Sequence, residues 1–192
     1  VSRRLAFFIG AGLAAAAAFL PLWGFRMSAP QYPGESLHLR VTAGAIGGDL
    51  HEVTTLQQYI GVRLPTDLPE LRWLVPAILS LSGMFLAAGL LGNGPGGRRA
   101  GLAAFAGALC FFAASATVLQ KRLYDVGHHR DPRSPIRAVR DFTPPLVGPT
   151  RVGNFTVWSY PHAGAFVLAA AAAAVLYGSR ARRPAGLQGA RA

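Results

Sequence analysis

The sequence predicts an all-α membrane protein: an antiparallel four-helix transmembrane bundle carrying a small α+β extracytoplasmic cap formed by two long loops. Two observations predict it. Four apolar stretches, Leu5 to Trp23, Trp73 to Leu91, Gly101 to Leu119 and Ala163 to Tyr177, contain no charged residue. Every acidic residue and every histidine falls instead in two polar segments, 25–71 and 120–162. A helix needs about 20 apolar residues to cross about 30 Å of hydrocarbon. Lipid offers no partner to a backbone amide, so such stretches satisfy their own hydrogen bonds as helices.

The order along the chain follows from that alternation. Residues 1–24 form the first transmembrane helix, 25–71 the first periplasmic segment and 72–92 the second helix. A cytoplasmic turn at 93–100 leads to the third helix at 101–119. The second periplasmic segment covers 120–162, the fourth helix 163–178 and a cytoplasmic basic tail 179–192. Orientation rests on arginines in the short flanks: Arg3, Arg4, Arg98, Arg99, Arg180, Arg182, Arg183 and Arg191 lie on one side without a carboxylate. The positive-inside rule makes that side cytoplasmic, so both termini are inside and both long segments outside. The first apolar run has no convincing small-residue cleavage site and is read as a retained anchor, not a signal peptide.

The net charge of +11 would suggest nucleic acid in a soluble protein, but much of it is topogenic arginine, so no nucleic-acid partner is expected. Membrane lipids are. Cys110 is the one cysteine and lies within the third span, which leaves the outer segments without a disulfide and rules out a multi-cysteine zinc site. No Asp, Glu, Lys, Arg or His occupies the mid-membrane, which removes the usual material of proton relays and ion pathways. Small residues at helix-contact spacing, Gly10 with Ala14, Gly83 with Ala87 and Ala103 with Gly107, predict close backbone approach between spans.

In the first outer segment, Ser36 to Ala43 alternates polar and apolar residues, the pattern of a half-buried strand. Asp49 then caps a helix with Glu52 at its third position, Leu50, Val53, Leu56 and Ile60 fall near one face, and Gly61 ends it. The second outer segment continues the third span through Lys121, Arg122, Leu123 and Tyr124, turns at DPRSP, and extends from Thr143 to Gly148. A second alternating run covers Asn154 to Tyr160. Two strands and a helix make the cap, with Trp23, Phe25, Trp73, Tyr124, Trp158 and Tyr160 near the membrane interface.

Several pieces carry a family resemblance: MSAPQYP (27–33), GDLHEVTTLQQYIG (48–61), ELR (70–72), YDVGHHRDPRSPI (124–136), PPLVG (144–148) and NFTVWSYP (154–161). In this order they resemble the NosB-type four-span membrane proteins encoded with nitrous oxide reductase and its copper-handling accessory factors. The resemblance implies an accessory protein of the bacterial inner membrane, acting on the periplasmic side in maturation of, or electron supply to, a copper reductase. Its departures from the family include two possible ligand positions: Gln58 stands where the family has a histidine, and Val62 where it has a methionine. A copper site built on those two positions cannot operate here. The family form YGHNLDP reads VGHHRDP, which keeps His128 and Asp131 and places His129 where asparagine is common.

Candidate metal ligands, with copper the possible metal, are therefore His128, Asp131, His129 and Met27. Imidazole and thioether suit copper, and a carboxylate can orient the imidazole. Each also has a plainer role: adjacent histidines diverge, Met27 packs against the cap, and Asp131 before Pro132 makes a turn. His38 and His51 lie on polar faces where a solvated histidine is ordinary, and His162 is an interfacial anchor. Arg137 and Arg140 near Asp141 read first as a solvated charged face, and otherwise as an anion site. Candidate partner-docking residues are Tyr32, Tyr59, Trp158 and Tyr160. No nucleophile elbow, zincin motif or phosphate loop is present, and no enzyme activity is expected. The functional expectation is maturation of a periplasmic copper reductase, by copper handling or by docking reductase or factors. The alternatives are an electron-transfer subunit contacting quinol or cytochrome, and a cofactor-free docking scaffold.

Overall fold

The structure, a computed structural model, describes residues 2–28, 34–60, 68–129 and 141–181, with 56–60 described by backbone alone. In chain order the elements are α1 (Arg3–Ala17), β1 (Trp23–Ser28), β2 (Ser36–Val41), β3 (Ile46–Gly48), α2 (Leu50–Ile60), α3 (Leu71–Leu90), α4 (Pro95–His128), β4 (Gly148–Val152), β5 (Phe155–Pro161) and α5 (Ala163–Arg180). Three of the helices, α3, α4 and α5, are long and apolar enough to cross a membrane.

The all-α expectation is too narrow, because five strands form one antiparallel sheet in the order β3-β2-β1-β5-β4. The alternating runs predicted two of them. The others escape alternation for identifiable reasons. In the sequence β1 reads as the end of the first span and the start of a loop, since Trp23 and Phe25 are as apolar as the helix before them. β4 contains Pro149, which a strand tolerates at a sheet edge, and β3 is only three residues long.

Helix α1 is correspondingly shorter than the apolar stretch that predicted it. At 15 residues and 1.5 Å per residue it is about 22 Å long. Its end tightens into i→i+3 bonds, Phe19 N to Ala16 O at 3.1 Å and Leu20 N to Ala17 O at 3.2 Å, before Pro21 closes off further helix. The third predicted span is longer than expected at both ends. Gly94 and Pro95, read as part of an inner turn, are the N-cap and first residue of α4, where a missing proline N–H has no consequence. At the far end α4 runs on to His128.

Helix α1 packs against α3 and α5, and α4 packs against the same two helices. Their shared interior is filled mainly with small side chains, including Ala11, Ala14, Ala88, Ala104, Ala108 and Ala171, around Phe7, Phe85 and Ile78. Large apolar side chains such as Ile9, Leu79, Leu86, Leu109 and Phe166 face outward and exposed. That inversion, small inside and large outside, suits helices whose surroundings are lipid. Gly10 packs as its spacing predicts: a Cβ there would lie 2.7 Å from Val175 Cγ2. Gly83, by contrast, has nothing within 4 Å. Close approach is carried instead by Gly101, against Phe7 and Ser179, and by Gly178, against Ala6 and Phe7.

Arg3 joins the helices at the end away from the sheet. Its Nε donates to Gly178 O at 3.0 Å, Nη2 to Ala181 O at 2.8 Å and Nη1 to Asn93 O at 2.8 Å and Gly94 O at 3.2 Å. One guanidinium thus satisfies carbonyls at the C-terminus of α5 and in the turn between α3 and α4. The charge count that assigned Arg3 to orientation gave no sign of this.

The sheet is fixed to α1 and α5 through the backbone. Leu22 N donates to Val41 O at 2.7 Å, His162 N to Leu22 O at 3.0 Å and Gly164 N to Pro21 O at 2.7 Å. Gly164 is required there, since a Cβ would stand 2.8 Å from Pro21 O. At the end of α4, Gly127 meets the carbonyl of Phe142 so closely that no side chain fits.

Candidate functional site

Strand register sorts the cap residues onto two faces, because cross-strand partners project to the same side of a sheet. Trp23, Phe25 and Met27 of β1 pair with Val41, Leu39 and Leu37 of β2 and with Pro161, Ser159 and Val157 of β5. Val152 and Phe155 extend this apolar face into β4, where they pack with Val126 of α4 and Phe142. The side chains between them form the second face. It carries Arg26 opposite both His38 and Trp158, Gly24 opposite Arg40 and Tyr160, Pro149 opposite Trp158 and Arg151 opposite Thr156.

A polar chain stiffens β5 from the apolar side. Ser159 is only 2% exposed. Its Oγ accepts from Trp23 Nε1 at 2.8 Å and donates to Leu146 O at 2.7 Å. Trp158, the preceding residue, therefore points out from a strand anchored beneath it, and is 48% exposed. Tyr160 lies across Gly24, whose Cβ, were there one, would be 2.7 Å from the ring. The glycine lets the ring lie flat on the sheet. Of the predicted docking residues, Trp158 and Tyr160 thus share one face. Tyr59 is in α2 with its side chain outside the described residues, and Tyr32 lies outside them altogether.

Arg26, Arg40 and Arg151 are exposed on this same face, and none of their guanidinium groups has a hydrogen bond or ion pair among the described residues. No carboxylate occupies a paired position on it. His38 is held in place, with Nε2 2.9 Å from Ser36 Oγ and its backbone N–H donated to Asp49 Oδ2 at 2.8 Å. Asp49 was expected to cap α2; its carboxylate reaches back to β2, while its backbone carbonyl accepts from Val53 N at 3.1 Å. Gly48 permits that return, with φ of 104° and the His38 carbonyl where a Cβ would be.

The candidate metal ligands lie apart in the sequence of elements. Met27 is in β1 on the apolar face, half-buried opposite Leu37 and Val157. His128 ends α4 and stacks on Tyr124, ring centroids 3.8 Å apart and 15° between planes. Its Nδ1 is 3.0 Å from Tyr124 O, and His129 Nδ1 is 3.2 Å from Asp125 O. A carbonyl can only accept, so each Nδ1 carries the proton and each Nε2 presents its lone pair when the ring is neutral. Asp131, with Arg137 and Arg140, lies outside the described residues. Among the described residues no three of His, Cys, Asp and Glu gather at metal-binding spacing. His162 plays a role not foreseen, capping α5 with Nδ1 accepting from Ala163 N at 2.8 Å.

One ion pair links α3 and α4 on the side of the sheet. Glu70, at the start of α3, binds the Arg122 guanidinium through Oε1, while its Oε2 is buried with no partner among the described residues. Its own backbone N–H, and then Arg122, hold the Glu70 carboxyl below the usual carboxylate range. Gln120, two residues earlier in α4, donates to Pro144 O at 3.2 Å and secures the extended stretch before β4.

Compared with known proteins, the chain matches no family model, no curated protein and no solved structure.

Proposed function

We propose that the protein is an accessory factor of nitrous oxide respiration in the bacterial inner membrane, and that its outer sheet docks the periplasmic copper reductase or a factor that matures it. In this reading α1, α3, α4 and α5 form an antiparallel four-helix transmembrane bundle, with α1 completed by its tightened last turn. Both termini are cytoplasmic, and the sheet stands on the periplasmic side. The pathway comes from the sequence resemblance. The observation that carries docking is the sheet itself, packed on one face against the end of α4 and exposing Trp158 on the other. A rigid antiparallel platform with an exposed aromatic at its centre is what a protein interface uses as an anchor.

The test is co-purification of the reductase with the full-length chain, together with the copper content of reductase made without it. Docking predicts that Trp158→Ala lowers co-purification while the protein still accumulates in the membrane. Wild-type protein that retains no reductase or maturation factor, in cells whose reductase copper is the same with and without it, overturns the proposal.

A second reading, direct copper handling, is favoured by the two imidazoles at the end of α4. Backbone carbonyls hold their Nδ1 atoms and leave both Nε2 atoms available, the arrangement by which outer partners orient metal-ligating histidines. His128 and His129 would be the residues to hold the ion, which could supply a copper reservoir at the end of α4. Copper retained by the purified protein and lost in His128→Ala supports it; retention unchanged by the substitution removes it.

A further inference from the structure

We infer that the open face of the sheet recognises an acidic protein surface, with Arg26, Arg40 and Arg151 supplying the charge and Trp158 the central anchor. This rests on the docking proposal and names the chemistry of its partner.

The charge is arranged on the face, not merely near it. Each of the three rows that cross the open side holds one arginine: Arg40 with Gly24 and Tyr160, Arg26 with His38 and Trp158, Arg151 with Thr156. All three are exposed, and their guanidinium groups have no hydrogen-bond or ion-pair partner among the described residues. Elsewhere in the described protein, arginines that matter to the fold are engaged, as Arg3 is with four carbonyls and Arg122 with Glu70. Two carboxylates of the first outer segment are directed elsewhere: Asp49 is turned to the backbone of His38, and Glu35 lies just beyond the first paired position of β2. An unpaired cationic row structure costs stability through self-repulsion and contributes nothing to packing, so its complement is an anion.

Protein is favoured over lipid as the source of that anion. β1 and β5 join α1 and α5 at the row of Trp23 and Pro161, and the arginines continue away from it along the strands, as far as the row of Ser28 and Thr156. The strand rise of about 3.3 Å per residue puts the last row roughly 16 Å along β1 from the first. Trp158, half-exposed between Arg26 and Pro149, gives the patch the aromatic centre and cationic surround of a protein interface.

The experiment uses the full chain in nanodiscs of zwitterionic phosphatidylcholine, with purified nitrous oxide reductase from the same host as probe. Its affinity is measured between 50 and 300 mM NaCl, against Arg26→Gln/Arg40→Gln/Arg151→Gln and Trp158→Ala variants. The inference expects wild-type binding to weaken by about tenfold or more over that range as the Debye length shortens. The triple variant should bind about tenfold more weakly at low salt and lose most of the salt dependence. Trp158→Ala should bind roughly 30-fold more weakly, the loss typical of an interfacial hot spot. Unchanged folding of the variants is checked by circular dichroism, since all four side chains are exposed.

Reductase that binds the triple variant with wild-type affinity and salt slope overturns this inference and leaves docking standing at another surface. Failure of the wild type to bind reductase overturns the inference and docking of the reductase, and docking of a maturation factor then stands or falls on the co-purification above. If brominated phosphatidylglycerol quenches the Trp158 emission, taken as the difference between wild type and Trp158→Phe, the face belongs to anionic lipid and the protein reading is overturned.

Discussion

Replacing Ser159 with alanine should loosen the sheet more than any change of comparable size on its surface. The hydroxyl is buried and occupied twice, accepting from the Trp23 indole at 2.8 Å and donating to the Leu146 carbonyl at 2.7 Å. A typical intramolecular hydrogen bond contributes about 1 kcal/mol net, and a buried polar group left without a partner costs about 1 to 3 kcal/mol. Ser159→Ala removes both bonds and strands an indole N–H and a carbonyl, so the loss should be about 2 to 4 kcal/mol. Trp23→Phe removes the donor and leaves Ser159 bonded to Leu146, apart from its change in packing. The double variant should therefore lose less than the sum of the two single ones. Amide hydrogen exchange of β1 and β5 in nanodiscs reads the effect where it occurs. About 2 kcal/mol corresponds to roughly a 30-fold loss of protection. Protection within twofold of wild type, or strict additivity in the double variant, refutes the claim that this hydroxyl couples β1, β5 and the stretch before β4.

Two further outcomes follow from contacts outside the sheet. Arg3→Lys keeps the positive charge expected to set orientation but cannot span four carbonyls with one ammonium, so thermal unfolding in detergent should show a loss of about 2 kcal/mol. Topology reporters fused to the termini should be unaffected; equal stability of the two proteins would return Arg3 to a purely topogenic role. Glu70 gives a pH dependence of definite sign. Its carboxyl is held below its ordinary value of 4.5 by its own backbone N–H and by Arg122, so the contribution is present at neutral pH and is lost as pH falls below that value, through the folded-state pKa. Both side chains are partly solvated, 38% and 35% exposed, and the effect is correspondingly small. Wild type and Glu70→Gln should converge in stability as acid is added, and a gap that stays constant from pH 7 to pH 3 would contradict the assignment.

The apolar stretches were legible because lipid imposes a simple requirement, long uncharged helices, and α3, α4 and α5 lie on three of the four predicted positions. The alternating runs were legible for the same kind of reason: a half-buried strand alternates apolar and polar residues, as β2 does throughout and β5 does over Phe155 to Val157. β1 was not, since Trp23 and Phe25 belong equally well to the end of an apolar helix; only pairing with β2 and β5 distinguishes them. The small-residue spacing fared unevenly. Gly10 meets α5, but Gly83 faces open space, because spacing fixes which residues share a helix side and not which side a neighbour covers.

The candidate site divides in the same way. Trp158 and Tyr160 could be placed on one strand from sequence, with Trp158 assigned to the face opposite Phe155 and Val157. That Arg26, Arg40 and Arg151 accompany Trp158 could not, since they come from three other strands and share a face only through cross-strand register. The Ser159 relay, the four-carbonyl grip of Arg3 and the His162 cap were likewise invisible, each being a long-range or terminal hydrogen bond with no periodic signature. By itself the sequence determined where apolar and ionisable groups are confined, because partition between lipid and water acts on each segment separately. The tertiary structure alone decided which polar groups meet and which arginines stay unpaired, because backbone pairing between distant segments sets both.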